Sequence, residues 1–537
     1  MKSKYDIVIV GAGHNGLVAA CYLAGAGKSV LMLERNLYVG GATTSQRIFP
    51  DYDAYLSRYS YLVSLFPQQI VRDLRLSLEL RRRRTASYTP FWRGPEADGL
   101  LLSNINEAAN RNQIERLHPD DYKGYLLMQQ RIQRFTDKVW PSLLLPLDSK
   151  EAWKNRFREP EDRAVWEWLV EKPLGEFIEA HLQHDVLRGV VLTDAKISAN
   201  THAHDPSLLQ NRTFLYHVIG NQTGEWRVPV GGMGALADAL YQQALRLGVE
   251  VLTGAEVLHI HPHSTQPSVT YKVEDKEVTI QARQVLVNAA PAELKRLVGP
   301  APVSRPPDGR PPVGRPQSTT AEQEGTAFKV NMLLHKLPPL RSGIAAEDAF
   351  AGTFHFNQTY TGLAAAFEQS QRGQLPERPP FEIYCHTLTD NSILSSELQR
   401  KGYHTITIFG LDAPYSLFLS RPEQTRQQLL NQYLATLNEW FTEPIQDCIA
   451  RQADGTLCLE AKSALDLETE LQLPRGNIFH SPLSWFYAED TGGVGQRGVE
   501  TDFAGILLCG SGAERGGAVS GIPGYHAAMK LLNQELR

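Results

Sequence analysis

Three glycines near the N-terminus have the spacing of a turn that binds a dinucleotide. Gly11, Gly13 and Gly16 follow an apolar run and precede a helical sequence. Gly11 permits a tight turn, Gly13 lets a pyrophosphate approach the backbone, and Gly16 lets helix and strand pack closely. The helix start adds free N–H groups and a positive dipole for the same pyrophosphate. These features predict a nucleotide site at the start of the chain.

An acidic residue makes this prediction more specific. Glu34 ends the next predicted strand, where its carboxylate can accept hydrogen bonds from the adenosine ribose hydroxyls. Its charge would repel a 2′-phosphate, which disfavours NADP. The same glycine spacing recurs at 493–498, but that segment follows an acidic stretch instead of an apolar strand and has no helix after it. We interpret the second match as a loop.

The residues after Glu34 indicate a flavin. Arg35 precedes a glycine doublet, Gly40 and Gly41, which lets the chain pass close to the pyrophosphate and the flavin ring. Near the C-terminus, strand 506–509 leads into a glycine-rich turn and a helix that begins at Ile522. A helix start aimed at the flavin would stabilise its anionic reduced form, and the alternative is an ordinary surface turn. We therefore predict FAD, with candidate contacts at Gly11, Gly13, Gly16, Glu34, Arg35, Gly40, Gly41, Ala42 and Thr43.

Two titratable side chains could take part in the chemistry. Lys329, in the apolar run 328–334, could approach the flavin or a substrate carboxylate, or it could point to solvent from a strand. His386 could act as a base near neutral pH, and the alternative is a structural histidine. We expect neither thiol chemistry nor a metal site, because the five cysteines are scattered without the spacing of a redox pair or a metal knuckle.

Composition and charge narrow the range of partners. The net charge of -5 offers no excess of positive charge for a nucleic acid, so the expected partner is a small-molecule substrate. Neither a leader sequence nor a long apolar stretch is visible, which predicts a cytoplasmic protein. The arginine run 81–84 could contact anionic lipid as a peripheral membrane site, although we interpret it as a solvated edge strand. The sequence leaves a homo-oligomer open.

The predicted elements that position these residues form an α/β fold in two domains. Strand, glycine turn and helix start recur in three stretches, which we assign to one FAD-binding domain at 1–90, 215–300 and 475–537. The late strand 506–509 must then find partners from the N-terminal half, since a parallel sheet buries its strands on both faces. The intervening segments 91–214 and 301–474 are first helical and then strand-alternating, and we assign them to a substrate domain. Residues 300–325 are proline-rich and predict a loop.

Several of these motifs together resemble the phytoene desaturase-like flavoproteins. The resemblance is carried by the glycine turn, Glu34 with Gly40 and Gly41, and the segments 56–65, 230–235, 328–331 and 510–517. It implies a Rossmann-type FAD domain of the glutathione reductase-like kind with a discontinuous α+β substrate domain. It also implies that Val257 lies near the adenine and that Gly510, Ser511 and Ile522 border the flavin. Relatives often carry an acidic residue where Ser511 stands, so this chain departs from the pattern there.

The expected function is therefore that of an FAD-dependent oxidoreductase. As a dehydrogenase or desaturase it would transfer a hydride from a small, hydrophobic or amine-bearing substrate to flavin N5, with oxygen, a quinone or another acceptor reoxidising the flavin. Two alternatives stay open at this point. One is a non-redox flavoprotein isomerase of the carotenoid isomerase type, and the other is a non-catalytic flavin-binding scaffold.

Overall fold

The computed structural model describes residues 4–299, 323–517 and 519–534, and these form two large sheets with helices around them. The strands are β1 (Lys4–Val10), β2 (Val30–Leu33), β3 (Ser45–Gln46), β4 (Leu56–Ser57), β5 (Leu80–Arg81), β6 (Thr85–Arg93), β7 (Glu96–Ser103), β8 (Val228–Pro229), β9 (Glu250–Leu252), β10 (Glu256–His261), β11 (Ser268–Val273), β12 (Lys276–Val287), β13 (Phe328–Leu334), β14 (Thr353–Phe356), β15 (Phe381–Tyr384), β16 (His404–Gly410), β17 (Leu459–Lys462) and β18 (Ile506–Leu508). The α-helices are α1 (His14–Gly25), α2 (Gln68–Asp73), α3 (Glu107–Leu117), α4 (Asp121–Val139), α5 (Lys150–Lys154), α6 (Pro160–Trp166), α7 (Leu174–His181), α8 (Asp185–Lys196), α9 (Leu209–Val218), α10 (Gly234–Arg246), α11 (Pro291–Val298), α12 (Ala346–Ala349), α13 (Tyr360–Gln371), α14 (Ser396–Arg400), α15 (Pro422–Trp440), α16 (Ala464–Leu471) and α17 (Ile522–Gln534).

The first sheet contains the predicted β–α–β unit at its centre. β1 lies between β12 and β2 and runs parallel to both. The four residues of β2 are all buried, as expected for a parallel strand covered on both faces. β18 pairs in parallel with the end of β12, where Leu508 lies opposite Val287. The carboxyl ends of β1, β2, β12 and β18 therefore meet at one edge of this sheet, although their segments are far apart in sequence.

Two helices pack closely over this edge. α1 follows β1 directly and contacts both α10 and the C-terminal α17. At Gly524 in α17, an added Cβ would lie 2.0 Å from the backbone oxygen of Asn15, so only a glycine permits this approach. The C-terminal helix is thereby held against the first turn of α1. A separate core of buried aliphatic side chains lies between this sheet and its helices.

The second sheet has the order β17-β13-β16-β15-β14-β6-β7 and is mostly antiparallel. All seven residues of β13 are buried, because β16 and β17 pair with its two edges and aromatic side chains cover it. β6 and β7 form a hairpin that joins this sheet through the parallel pair of β6 and β14. Since β6 runs from Thr85 to Arg93, it crosses the predicted domain boundary at residue 90, and the division into domains stays a prediction.

The predicted elements correspond closely to the observed ones, except that one predicted strand is part of a longer strand. The strand expected at 284–288 is the end of the longer β12, whose first half is mostly exposed and pairs with β11, whereas its last three residues are buried in the parallel sheet. The segment predicted to be helical contains α3 to α7. The proline-rich loop predicted at 300–325 lies outside the described residues except for 323–325. Within the described parts of the chain, no helix is both long and apolar enough to cross a membrane.

Candidate cofactor and substrate cavity

A cavity of about 710 Å³ extends from the carboxyl edge of the first sheet to the face of the second sheet. At one end it is lined by the turn after β1, the end of β2, the loop after β2 and the segment 255–257. At the other end it is lined by side chains from the second sheet and from α4, α8 and α9. We call the first part the glycine end and the second part the distal end. Of the predicted contacts, those that line the cavity are Gly11, Gly13, Glu34, Arg35, Gly40, Gly41, Ala42, Thr43, Val257 and Ser511.

The glycine turn has the geometry that a pyrophosphate requires. Gly11 has a φ of +91°, which favours glycine, and a Cβ at Gly16 would lie 2.6 Å from the Gly11 oxygen. Gly13 precedes α1 without any side-chain cap, so the first N–H groups of the helix face the cavity uncapped by the chain itself. The Nδ2 of Asn15 donates to Ser511 Oγ at 3.1 Å, and its buried Oδ1 has no partner in the described part of the chain, so it can accept a hydrogen bond from a ligand. The uncapped N–H groups fit an anionic ligand at the helix start.

Glu34 both shapes the turn and faces the cavity. Its carboxylate accepts hydrogen bonds from the backbone N–H groups of Ala12, at 2.8 Å, and Asn36, at 2.9 Å. A carboxylate has about four acceptor positions, so it can still accept bonds from ribose hydroxyls. Arg35 lines the cavity beside it and donates to the backbone oxygen of Glu470 at 3.0 Å. Both residues are therefore placed where a nucleotide would lie.

The loop after β2 folds back onto the glycine turn. Gly40 donates its N–H to the Ala12 oxygen at 2.8 Å, and its φ of +103° again favours glycine. Thr43 Oγ1 lies 3.0 Å from His14 Nδ1 in α1. Ser60 donates to the Ala42 oxygen at 2.9 Å, which ties this loop to the segment that leads to the distal end. A ligand that follows this loop from the turn must pass the side chains of 59–61.

The C-terminal segment contributes to the cavity through Ser511. Gly510 packs against the backbone of Asn288, since a Cβ at Gly510 would come within 3.1 Å of the Asn288 carbonyl carbon, and it does not line the cavity. Ile522 begins α17, is 2 % exposed and packs in the hydrophobic core, so it is not among the residues that line the cavity. Gly16 also lies behind the surface, packed against the Gly11 backbone. Direct contacts of Gly510, Ile522 and Gly16 to a cofactor stay a prediction.

Lys329 is buried between the two ends of the cavity. Its ammonium nitrogen Nζ donates to the Tyr59 oxygen at 2.7 Å and to Tyr61 Oη at 3.1 Å, and the side chain is 1 % exposed. It lies 4.6 Å from the ring centres of both Tyr61 and Phe409. Burial lowers the pKa of Lys329 to about 7, because the charged form is poorly solvated there. The solvent-facing alternative for this lysine is therefore wrong.

His386, the second candidate, lies behind the wall of the cavity. It follows β15, is 5 % exposed, and its ring centre lies 6.3 Å from that of Tyr61. It is not among the residues that line the cavity, and burial lowers its pKa to about 4. Its Nε2 atom is buried and finds no hydrogen-bond partner in the described ranges of the chain. A role for His386 as a base stays a prediction, and the geometry of this structure favours Lys329.

The distal end contains ionisable residues that the sequence analysis did not single out. They are Arg83, Asp194, His355 and Glu382, and all four line the cavity. Arg83 belongs to the arginine run that we interpreted as a solvated edge strand, and this interpretation is wrong for Arg83, which is 8 % exposed. The other three arginines of this run, Arg81, Arg82 and Arg84, are each about half exposed. Asp194, His355 and Glu382 come from α8, β14 and β15 and share no motif in the sequence.

Comparisons with known proteins support the interpretation of the glycine end as an FAD site. A family model described as FAD dependent oxidoreductase matches residues 6–120, which include the glycine turn and the loop after β2. An uncharacterized protein of Mycobacterium tuberculosis is 41% identical over 536 residues, covering 98% of this chain and 97% of that protein. The chain belongs to the FAD-dependent oxidoreductases. It shares its family with the mycobacterial protein, and FAD is the cofactor that this family and the glycine end indicate.

Two further comparisons extend this assignment. The mouse pyridine nucleotide-disulfide oxidoreductase domain-containing protein 2 is 28% identical over 566 residues, covering 98% of this oxidoreductase and 93% of the mouse protein. The solved structure of cyclohexylamine oxidase from Brevibacterium oxydans aligns with a TM-score of 0.57 at 14% identity, covering 99% of this chain and 100% of that one. That likeness shows the fold alone. It confirms the α/β class with a Rossmann-type FAD domain that the sequence predicted.

Proposed function

We propose that this flavoprotein oxidises a small organic molecule with an apolar or amine-bearing body, breaking a substrate C–H bond and passing the electrons to oxygen, a quinone or another acceptor. When bound, FAD supplies the two-electron acceptor that takes the hydride. The observation that carries the proposal is the placement of Lys329, buried between the glycine end and the distal end of a single cavity.

The glycine end would hold the cofactor. The N–H groups at the start of α1 would bind the pyrophosphate, and Glu34 would accept hydrogen bonds from the ribose. The loop 40–43 would direct the remainder of the molecule along the side chains of 59–61, since Ser60 joins the two segments. This path leads to Lys329, whose Nζ bonds to the Tyr59 oxygen.

The distal end would hold the substrate and exclude water from it. Its lining includes apolar side chains from α4, α8 and α9, namely Met128, Ile132, Val191 and Phe214. These side chains are buried, so a substrate body that contacts them leaves water behind. A pocket of this composition orients an apolar or amine-bearing molecule better than a highly charged one.

Lys329 would accept the proton that the substrate releases at this site. Its pKa of about 7 means that Nζ is substantially uncharged near neutral pH and can accept a proton. Tyr61 holds Nζ in place through a hydrogen bond of 3.1 Å, and its ring stacks on Tyr384 with the ring centres 5.3 Å apart. A proton released from a substrate amine can therefore be held at Nζ without a charged partner nearby.

Anaerobic mixing of the purified, FAD-loaded protein with a fractionated metabolite extract tests this proposal. Oxidation of a substrate gives a net loss of the flavin absorbance in at least one fraction. An altered metabolite without net loss of absorbance would indicate the isomerase instead. Neither change across all fractions would indicate a flavin-binding scaffold and would contradict the proposal.

A further inference from the structure

The distal end contains a buried arginine that forms no ion pair with any residue that the structure describes. Arg83 is 8 % exposed, and the one hydrogen bond of its guanidinium among the described residues runs from Nη1 to Thr353 Oγ1, at 3.0 Å. Its Nε is buried and has no hydrogen-bond partner among the same described residues. By contrast, Arg82 pairs with Glu225 at 2.6 Å and Arg84 with Asp348 at 3.0 Å. A buried guanidinium left in this state is costly unless a ligand completes its hydrogen bonds.

The fold places this guanidinium in the wall of the cavity. Arg83 lies between β5 and β6, and its partner Thr353 begins β14, which pairs with β6. β14 also pairs with β15, and in this pair His355 lies opposite Glu382. Thr193 of α8 donates to Glu382 Oε1 at 3.1 Å and brings the next residue, Asp194, to the same wall. The sheet and α8 therefore hold Arg83, Glu382 and Asp194 around one part of the cavity.

Within the described residues the two acids in this wall form no ion pair with Arg83, although its charge partly offsets the rise in pKa that burial causes in both. Glu382 is 2 % exposed and accepts hydrogen bonds from the hydroxyls of Thr193 and Tyr384. Asp194 makes no hydrogen bond or ion pair with the residues that the structure describes. Burial, together with the nearby Glu382, raises the pKa of Asp194 to about 7, and burial also raises the pKa of Glu382. Both acids therefore hold protons more readily than exposed carboxyls, so neither fully offsets the charge of the guanidinium.

We propose that Arg83 binds a carboxylate group of the substrate at the distal end of the cavity. A carboxylate matches the fork of a guanidinium and brings one negative charge to the one unpaired cation of this wall within the described residues. A dianionic phosphate ordinarily needs more positive charge than this wall offers, since Arg82 is already paired with Glu225. This inference rests on the proposed function and specifies its substrate class: a molecule with an apolar body, a carboxylate at Arg83 and its reacting C–H bond toward Lys329.

The stacked rings of Tyr61 and Tyr384 connect the two positions in this arrangement. Tyr61 bonds to Lys329, and Tyr384 donates its hydroxyl to Glu382 in the distal wall. The carboxylate and the reacting carbon would thus lie on either side of a pair of aromatic rings. Arg83 would act by positioning the substrate, with no part in the proton or electron transfer.

Isothermal titration calorimetry with a matched pair of probes tests this inference. Octanoate has an apolar tail and a carboxylate, and octanamide has the same shape without the charge. We expect the FAD-loaded protein to bind octanoate about tenfold or more tighter than octanamide. The Arg83→Gln variant should bind both probes alike, with octanamide affinity changed by less than about twofold. The Arg83→Lys variant should keep part of the preference, because it keeps the charge but loses the fork.

The exposed neighbour provides the matched control. Arg84 lies outside the cavity lining, so Arg84→Gln should leave the preference for octanoate unchanged. Equal binding of the two probes to the unaltered protein, no binding of octanoate, or a preference that survives in Arg83→Gln would overturn the inference. Loss of FAD from both Arg83 variants would also overturn it, because it would place Arg83 in cofactor binding. Calorimetry needs no turnover, so its result is independent of the metabolite test of the proposed function.

Discussion

The two ends of the cavity are built in different ways. At the glycine end, the backbone forms most of the surface, and its shape depends on positions such as Gly11 and Gly40 where φ is positive. At the distal end, side chains form the surface, and they come from β5–β6, α8, β14 and β15. The glycine end is built mainly from residues close together in sequence. The distal end is assembled only when the second sheet forms. We therefore propose that the glycine end binds a cofactor common to the family, whereas the side chains of the distal wall determine which substrate binds.

The largest effect should come from the residue between the two ends. Lys329→Met should leave FAD bound but lower the rate of substrate-driven flavin reduction by about 10²- to 10⁴-fold, the usual contribution of a proton-transfer group. In the unaltered protein this rate should rise with pH and level off above about 7, because the pKa of Lys329 lies there. Stopped-flow absorbance under anaerobic conditions measures both effects.

A lysine just after the end of β13 serves as the control for Lys329→Met. Lys336 follows β13, and its side chain is about half exposed and pairs with Glu443 at 2.7 Å. Lys336→Met should reduce the flavin at the unaltered rate and with the same pH dependence. A Lys329→Met variant that reduces flavin normally would separate this lysine from the chemistry and leave the cavity with a binding role only.

The next largest effect should come from the backbone of the glycine end. In Gly16→Val, the new Cβ would lie 2.6 Å from the Gly11 oxygen, which is backbone and cannot move aside. Overpacking of this kind costs about 3 kcal/mol, or roughly a hundredfold in FAD affinity. Gly25→Ala, in the same helix but with no atom within 4 Å of the new Cβ, should retain FAD fully. FAD content per chain after gel filtration measures the contrast, and equal content in both variants would count against the close packing described here.

A smaller effect is expected from Glu34. Glu34→Ala removes an acceptor for Ala12 and Asn36 as well as the predicted ribose contact, which should weaken FAD retention by about 1.5–3 kcal/mol. Cys21→Ser and Cys509→Ser should have less effect on retention, because both thiols are buried free cysteines that burial keeps protonated. Fluorescence of released FAD during dilution measures this series. If either cysteine variant kept its FAD but lost flavin reduction, thiol chemistry would have to be reconsidered.

The same contrast explains what could be predicted from the sequence. The glycine turn, Glu34 and the loop with Gly40 are local patterns with steric causes, so they could be placed before the fold was known. The need to bury Ile506 to Leu508 on both faces also predicted that this late strand joins the parallel sheet, although its partner β12 lies just beyond the N-terminal half in which we expected it.

The distal wall could not be predicted in this way. Asp194 and Glu382 lie in ordinary helix and strand sequences, and only the register of β14 with β15 and the position of α8 bring them together. Arg83 was visible in a run of four arginines, but its burial depends on the pairing of β6 with β14. Lys329 was singled out, but the sequence alone left open that it points to solvent from the face of a strand. Tyr59, Tyr61 and Phe409 cover that face of β13 in the folded protein and bury the side chain.

The visible spectrum of the bound flavin, followed as a function of pH, tests the central claim most directly. If FAD bound at the glycine end extends to Lys329, the change in charge at Nζ should shift the flavin absorbance, since a charge beside the ring alters its electronic states. We predict one spectral transition with a midpoint near pH 7 in the unaltered protein and its loss in Lys329→Met. A spectrum independent of pH, or a transition that persists unchanged in Lys329→Met, would show that the flavin ring does not lie beside this lysine and would contradict the account.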